Sequence, residues 1–428
     1  MATNHYSDDP VAALAQPESL LRELGRALRG VSSADAVVAV RCGENVASVC
    51  ARGARFSSEP PHAPIRIGCI AKLLTATLAM RAFDAGLLAP DCDVGDVLGR
   101  GEAARPLRGV TVRQLLDHAH GLDDSLLECV PRREGSRVDV EALVRALRLA
   151  PALAPPGALY SYGSAGAWLT AALLERCTGR SYSEQVRADL LAPLDIRRLG
   201  SEPHAPICPA TGAALALDPT ELLRLVAHVA LHNPSSWPDD DRPGAHGTVF
   251  PLPGWNPLER GVYLGWKYHG RGWFGHQSLW PAASLFVRAH PRRALALVVA
   301  SRRDSAAVVA ARVFGTHLPE LFDLRIPTGP STALRWSDSG AFASAAWHAE
   351  IRVRELCVRR RGSRTIHRAT LSHVGGGVSF ARPVIESFRH VELVARGASV
   401  YLWNGRFVLR AGVRLTSEKE RGLTPVPI

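Results

Sequence analysis

The chain has 428 residues, 46% of them apolar and 21% charged, with a net charge of +11 and an isoelectric point near 9.7. That length and balance fit two or three globular domains with large cores, and exclude a fibrous or wholly disordered chain. The arginines are scattered rather than gathered into a stripe with interleaved aromatics, which argues against nucleic-acid binding, and no apolar run approaches the ~20 residues of a membrane helix.

Residues 1–17 read as a disordered polar tail with no basic stretch leading into an apolar core, so the expected setting is cytoplasmic rather than secreted. Glu18 to Leu28 has helical periodicity, and Ala36–Val40 and Val46–Ala51 read as two strands across a turn at residues 42–45. Pro64–Gly68 is a short extended piece that delivers the chain into an apolar segment, Cys69 to Leu87. With no proline or glycine before Gly86, that segment predicts a buried helix. From Asp91 to about His232 the pattern is mainly helical, over 112–118, 138–149, 166–177 and 219–231. Strand signals return at 262–268, 284–289 and 294–300, followed by a closing helix over 304–314. An α/β part built from about 18–95 and 240–330, with a helical part of about 96–239 inserted, accounts for this order. Beyond Pro327-Thr328-Gly329-Pro330 the residues 335–428 alternate in β fashion, with turns at Gly375-Gly376-Gly377 and Asn404-Gly405, and predict a small β-rich appendage.

The eight cysteines contain no C-x-x-C pair and no Cys/His spacing of the zinc kind, so neither a structural metal nor a cofactor is expected. In a reducing cytosol they are thiols, and seven of them read as small buried hydrophobes.

The eighth is Cys69. Gly68-Cys69-Ile70-Ala71-Lys72 places a thiol and an amine three residues apart at the head of a helix, on one face. Of 51 basic residues only Lys72, Lys267 and Lys419 are lysine, so a lysine kept here points to a task arginine cannot do, such as giving up a proton. A second constellation, Pro156 to Gly166, holds Tyr162 in a tight turn ahead of a helix, where a phenol can move protons. A third, Phe274-Gly275-His276-Gln277-Ser278, sets a histidine at the edge of a cleft. His118 and His120 read as structural, Arg113 as half of a buried ion pair, and Lys267 as a solvated strand end, with reach into the cleft as the alternative. Trp273, Trp280 and Tyr263 are candidates for the wall of an acyl pocket or, equally, for aromatic packing between sheet and helices.

In this order and spacing the three pieces resemble the serine β-lactamase and penicillin-binding-protein family, in particular its class C β-lactamase and esterase branch, over about residues 20–315. The segment Val110 to Leu122 and the Leu264-Gly265-Trp266 run fit the same pattern. The resemblance implies an α+β fold, with a five-stranded antiparallel sheet flanked by helices, an all-helical part and the cleft between them. It places Cys69 at the nucleophile, Lys72 at the base, Tyr162 at the catalytic tyrosine and His276 at the first position of the late-strand motif. It also puts the oxyanion hole on the backbone N–H groups of Cys69 and Leu279.

Three positions depart from the family pattern: Cys69 replaces serine, Ser164 the motif asparagine, and Ser278 the motif glycine. The shorter Ser164 weakens the grip on the lysine, and Ser278 narrows the cleft. A thiol beside a cation at a helix N-terminus favours the thiolate, and its thioester is readier than an oxygen ester to react with amines. The expected activity is therefore acyl transfer to an amine (amide formation, transacylation or cyclisation) on a small-molecule or peptide acyl substrate, free or carrier-bound, in specialised metabolism. A hydrolase of the same family, or a member that kept the fold as a binding protein, are the alternatives.

Overall fold

The computed structural model describes residues 12–29, 35–53, 55–58, 64–98, 106–123, 138–148, 152–197, 206–212, 214–231, 236–254, 256, 258–279, 283–302, 304–322, 340–344, 347–352, 355–375, 378–385, 388–396, 399–404 and 408–411. Helix α1 (Pro17–Ala27) is followed by the hairpin β1 (Asp35–Cys42) and β2 (Asn45–Arg52), then by the short β3 (Arg55–Ser57) and β4 (Ile65–Arg66). Helix α2 (Ala71–Asp84) comes next, led in by a 3-10 turn, Gly68–Ile70.

A helical stretch follows: α3 (Val94–Leu98), α4 (Val112–Leu116), α5 (Val140–Arg148), α6 (Ala165–Thr178), α7 (Tyr182–Gln185) and, after the short β5 (Ala216–Leu217), α8 (Pro219–Leu231). The chain then returns to strands: β6 (Phe250–Pro251), β7 (Gly261–Tyr263), β8 (Trp266–Gly270), β9 (Trp273–Leu279), β10 (Ser284–His290) and β11 (Leu295–Ser301), with α9 (Ala306–Phe314) and α10 (Pro319–Phe322) behind them.

The main sheet is antiparallel in the order β3-β2-β1-β11-β10-β9-β8-β7-β6. It has nine strands, not the five implied by the resemblance: six strands, β2, β1, β11, β10, β9 and β8, form its body, and three short ones of two or three residues extend both edges. Early and late segments meet at its centre, where Val38 of β1 lies opposite Val299 of β11.

Successive side chains of a strand point to opposite faces, so a run that is apolar throughout must be covered on both. Leu295, Leu297 and Val299 pack with α1 and α9 on one face, while Ala296, Val298 and Ala300 join the core around α2 and α8 on the other. The predicted single strand 262–268 is instead a tight hairpin. Leu264 (φ 47°) and Gly265 (φ 86°) turn the chain between β7 and β8, and a Cβ on Gly265 would lie 3.0 Å from the Ala76 Cβ of α2. Periodicity alone does not reveal such a turn.

Residues 340–411 contain eight antiparallel strands, β12 (Gly340–Ala343), β13 (Trp347–Arg352), β14 (Glu355–Arg360), β15 (His367–Gly375), β16 (Val378–Ile385), β17 (Phe388–Arg396), β18 (Ser399–Trp403) and β19 (Val408–Ala411). They close into a barrel through the β12–β19 pairing. Its interior is filled by apolar side chains, among them Phe342, Ile351, Leu356, Val358, Leu402 and Leu409. Of the turns expected here, residues 376–377 and Gly405 lie outside the described residues, as do the 327–330 breaker and most of the N-terminal tail. Among the described residues no helix is long and apolar enough to cross a membrane.

Asp117, buried just after α4, accepts a hydrogen bond from the Leu264 amide at 2.6 Å and so ties the β7–β8 turn to the helical layer. Burial pushes its carboxyl up to about 7, against weaker opposing pulls from that amide and from Arg113. Because the fold favours the protonated form, and an ordinary aspartate ionises near ~4, the associated stability is greatest in acid. It is lost as the pH rises from about 4 to about 7, by up to ~4 kcal/mol. Asp117→Asn keeps an acceptor for Leu264 and removes the titration, so its urea midpoint should gain on the wild type between about pH 5 and about pH 8. Parallel pH profiles for the two proteins would count against this assignment.

Candidate active site

Gly68 takes a left-handed backbone (φ 58°), which a side chain would strain, and this turn sets Cys69 at the N-terminal end of α2. Eleven of the fourteen residues of α2 are buried, from Ala71 through Phe83, so the helix end cannot drift. The segment before β5 clamps it. Lys72 donates to the Ala210 carbonyl at 2.8 Å, and Thr75 bonds the Tyr182 hydroxyl at 2.9 Å and the Pro209 carbonyl at 3.3 Å. A Cβ on Gly212 would come within 2.8 Å of Ile67 and 3.0 Å of Ala71, so only glycine allows this seat. The Ala210 carbonyl thus grips the lysine where the shortened Ser164 was expected to leave it loose. Ser164 itself caps the start of α6 without a side-chain capping bond.

Tyr162 is brought in by the loop 153–163, which is stitched to residues 118–121 by backbone hydrogen bonds. Leu153 donates to Gly121 at 2.8 Å, Gly157 to Ala119 at 2.7 Å and Ser161 to His118 at 2.8 Å. Gly121 (φ 72°) is obligatory, since a Cβ there would sit 2.1 Å from the Ala154 carbonyl oxygen. His118, itself at φ 53°, lays its ring 4.7 Å from that of Tyr162, and the Gly163 amide donates to its Nδ1 at 3.4 Å. Its structural task is therefore specific: it shapes the tyrosine turn.

Three groups close on the Tyr162 ring. The Lys72 ammonium lies 4.8 Å from the ring centroid, the Lys267 ammonium 4.9 Å, and the His276 ring 5.8 Å. Lys267 is no solvated strand end. It is 8% exposed, on β8, and forms a buried ion pair with Glu259, which is 5% exposed.

His276 and Ser278 project from the face of β9 that carries Phe274 into the core around α2, and both are buried. The His276 Nδ1 lies 2.8 Å from the Gln277 carbonyl oxygen and 2.9 Å from its amide nitrogen. Burial, then the Lys267 and Lys72 charges, hold His276 well below the ordinary histidine range, so its imidazole is neutral. Leu279 ends β9 with 66% exposure, and Trp280 lies outside the described residues.

The pocket aromatics differ from those expected. Trp273 points to the other face of the sheet, into the core with Phe286 and α9, and Tyr263 is buried beneath Trp237 and Phe274. In their place Tyr160 and Tyr162 form one apolar cluster with Leu159, Val262 and three barrel residues, Val394, Tyr401 and Trp403, and Cys69 packs against it. The Tyr160 and Trp403 rings meet edge to face at 5.9 Å. Arg113 makes a long contact of 3.8 Å with the exposed Asp91 rather than a buried pair. No group of three or more potential metal ligands occurs among the described residues.

A thiol at the head of a buried helix, a tyrosine between two lysines and a late-strand motif, set between an antiparallel sheet and a helical layer, define the β-lactamase and penicillin-binding-protein class of fold. The Beta-lactamase family model matches residues 19–315, and the chain belongs to that family.

Among curated proteins it is 33% identical over 140 residues to penicillin-binding protein 4 of Amycolatopsis lactamdurans, covering 31% of this chain and 34% of that one. It is 32% identical over 152 residues to acyltransferase mokF of Monascus pilosus, covering 31% and 37%. To monacolin J acid methylbutanoyltransferase of Aspergillus terreus it is 31% identical over 215 residues, covering 43% and 52%. The chain thus spans about a third to a half of the length of these relatives.

Among solved structures, SurE with D-Leu superposes with a TM-score of 0.68 at 21% identity, over 92% of this chain and 99% of that one. The octameric penicillin-binding-protein homologue of Pyrococcus abyssi gives 0.51 at 16%, over 94% and 100%. These identities show likeness of fold.

Cys42, Cys50 and Cys208 are buried as expected, but Cys92, Cys177 and Cys357 are only half-buried, like Cys69. Burial is the main cause that raises each of those three thiols above the ordinary range, which slows their alkylation. Among the described cysteines, Cys129 lying outside them, iodoacetamide should therefore label Cys69 first, by at least about tenfold, in a time course followed by peptide mass mapping. Even labelling across the four would show that Cys69 is an ordinary thiol.

Proposed function

We propose that the protein is an acyltransferase that works through a thioester on Cys69 and favours transfer to an amine over hydrolysis, in the making of a specialised metabolite. One observation carries the proposal: the Cys69 thiol stands at the N-terminal end of α2 and packs against the cluster of Tyr162, a tyrosine flanked by Lys72 and Lys267. Two of the curated relatives bear acyltransferase names, which supports acyl transfer rather than loss of chemistry. We read residues 18–330 as the catalytic unit and 335–428 as a second domain, whose barrel over 340–411 adds Val394, Tyr401 and Trp403 to the cluster beside Cys69.

The Cys69 sulfur attacks the donor carbonyl, a C–S bond forms, and the leaving group departs with a proton from the Tyr162 hydroxyl. Backbone N–H groups of Cys69 and Leu279 hold the oxyanion, with Ser164, His276 and Ser278 contacting the substrate. The acceptor amine then attacks the thioester carbonyl. The C–N bond forms, the C–S bond breaks to restore the thiolate, and the surplus amine proton passes to the Tyr162 phenolate. Lys72 supports both transfers electrostatically.

Intact-mass measurement with a panel of activated esters and thioesters should show one acyl group on the wild type, none on Cys69→Ala, and a higher ratio of hydrolysis to aminolysis for Cys69→Ser. Failure of every donor to acylate Cys69 would overturn the proposal, and acid as the sole product would favour a hydrolase.

The buried cluster of Tyr160, Tyr401 and Trp403, against which Cys69 packs, is apolar, and we read it as the surface that meets an apolar acyl chain. Trp403→Ala should raise KM for bulky apolar donors about tenfold while leaving small acetyl donors nearly unchanged. An equal effect on both would remove the barrel from the acyl pocket.

A further inference from the structure

Two of the three lysines in this arginine-rich chain converge on one aromatic ring, and only one of them belongs to the nucleophile's helix. The other, Lys267, lies opposite Gly275 in the β8–β9 pairing, beside the neutral His276. The first position of the late-strand motif therefore carries no charge, and a cation one strand away stands over Tyr162 instead. Glu259 fixes that cation through the buried ion pair. Burial draws Arg288 down to about 9 and Glu259 opposes that pull, while the guanidinium donates at 3.0 Å to the His276 carbonyl and at 2.8 Å to that of Val287. Strands β8, β9 and β10 are thus joined through one carboxylate.

Burying such a pair is unfavourable unless its geometry is tightly held, and for stability alone a packed apolar pair would serve as well. What an apolar pair would not supply is positive potential at Tyr162. An ammonium within about 4–6 Å of an ionisable group stabilises its anion over its neutral form. The titratable and charged groups around the Tyr162 ring are Lys72 and Cys69 at the head of α2, His118 after α4, Lys267 on β8, His276 on β9, Tyr160 in its own loop and Tyr401 from the barrel. Of these, Lys72 and Lys267 favour the phenolate.

We propose that Lys267, held by Glu259, is an electrostatic positioning residue that stabilises the Tyr162 phenolate in place of a charged first residue on the late-strand motif. The role rests on the function of Tyr162 proposed above, but its physical content is an effect on the tyrosine alone.

The test is an ultraviolet tyrosinate titration in which each protein is paired with its Tyr162→Phe derivative, so that the difference reports Tyr162. Relative to the wild type, Lys267→Met/Glu259→Gln, which removes both charges of the pair while Arg288 keeps its two carbonyl acceptors, should move the Tyr162 transition upward by about one pH unit or more. Lys267→Arg should restore most of the shift, and kcat for acyl transfer should fall in the double variant with KM little changed. An unmoved Tyr162 transition in the folded double variant would overturn the proposal and leave the pair as scaffold. If the transition moves as expected but Cys69 never acylates, the electrostatic role stands and the acyltransferase reading falls.

Discussion

The burial of α2 on nearly every side is the constraint from which the rest of the site follows. A helix with eleven of fourteen residues buried needs small side chains wherever a neighbour crosses it, and Ala71 and Ala76 face the closest approaches, from Gly212 and Gly265. Those two glycines let one segment clamp Lys72 and Thr75 from the helical layer, and another dock the β7–β8 hairpin from the sheet. Because interiors are packed near crystal density, neither contact can loosen alone. Cys69 therefore gains its position from packing on two layers, and the Lys72 ammonium gains its direction from a backbone carbonyl that no side-chain change can remove.

Much of this was legible in the sequence wherever a local pattern carried the information. The unbroken apolar run of 294–300 reads directly as a strand, and the Cys69–Lys72 spacing places both residues at one helix head. The elements lost were those whose cause lies elsewhere in the chain. Leu264 looks like any strand leucine, and its left-handed turn exists because Asp117, far away in sequence, captures its amide. Lys267 looks like a solvated strand end because nothing nearby in sequence announces that Glu259 will be buried against it. Trp403 is separated from Tyr160 by most of the chain, so no local pattern could pair them. The rarity of lysine was the signal that could have found Lys267, since it already singled out Lys72.

The barrel alters how the cleft is to be understood. An eight-stranded barrel of this size either encloses a small ligand or fills with its own side chains, and here Phe342, Ile351, Leu402 and others fill it. Its chemical contribution is therefore on the outside, where Val394, Tyr401 and Trp403 complete an apolar cluster with the tyrosine loop. Residues of that loop thus meet the helical layer through His118 and the barrel through Trp403. A change on the barrel surface can reach the tyrosine through direct contact, without any shift in the sheet.

The sulfur nucleophile proposed at Cys69 fits the electrostatics around it. A serine must lose its proton as it attacks, so its base has to be strong and close. A thiol ionises within the ordinary pH range and asks less of its base. The late-strand histidine is neutral, and a backbone carbonyl, that of Ala210, grips the lysine. Both features reduce activation of an oxygen nucleophile more than of a sulfur one. What remains concentrated is two ammonium groups on one tyrosine ring, which on the proposed reading serve a proton transfer to or from a group other than the nucleophile. In acyl transfer that group is the acceptor amine, whose attack is the step at which a thioester differs most from an ester.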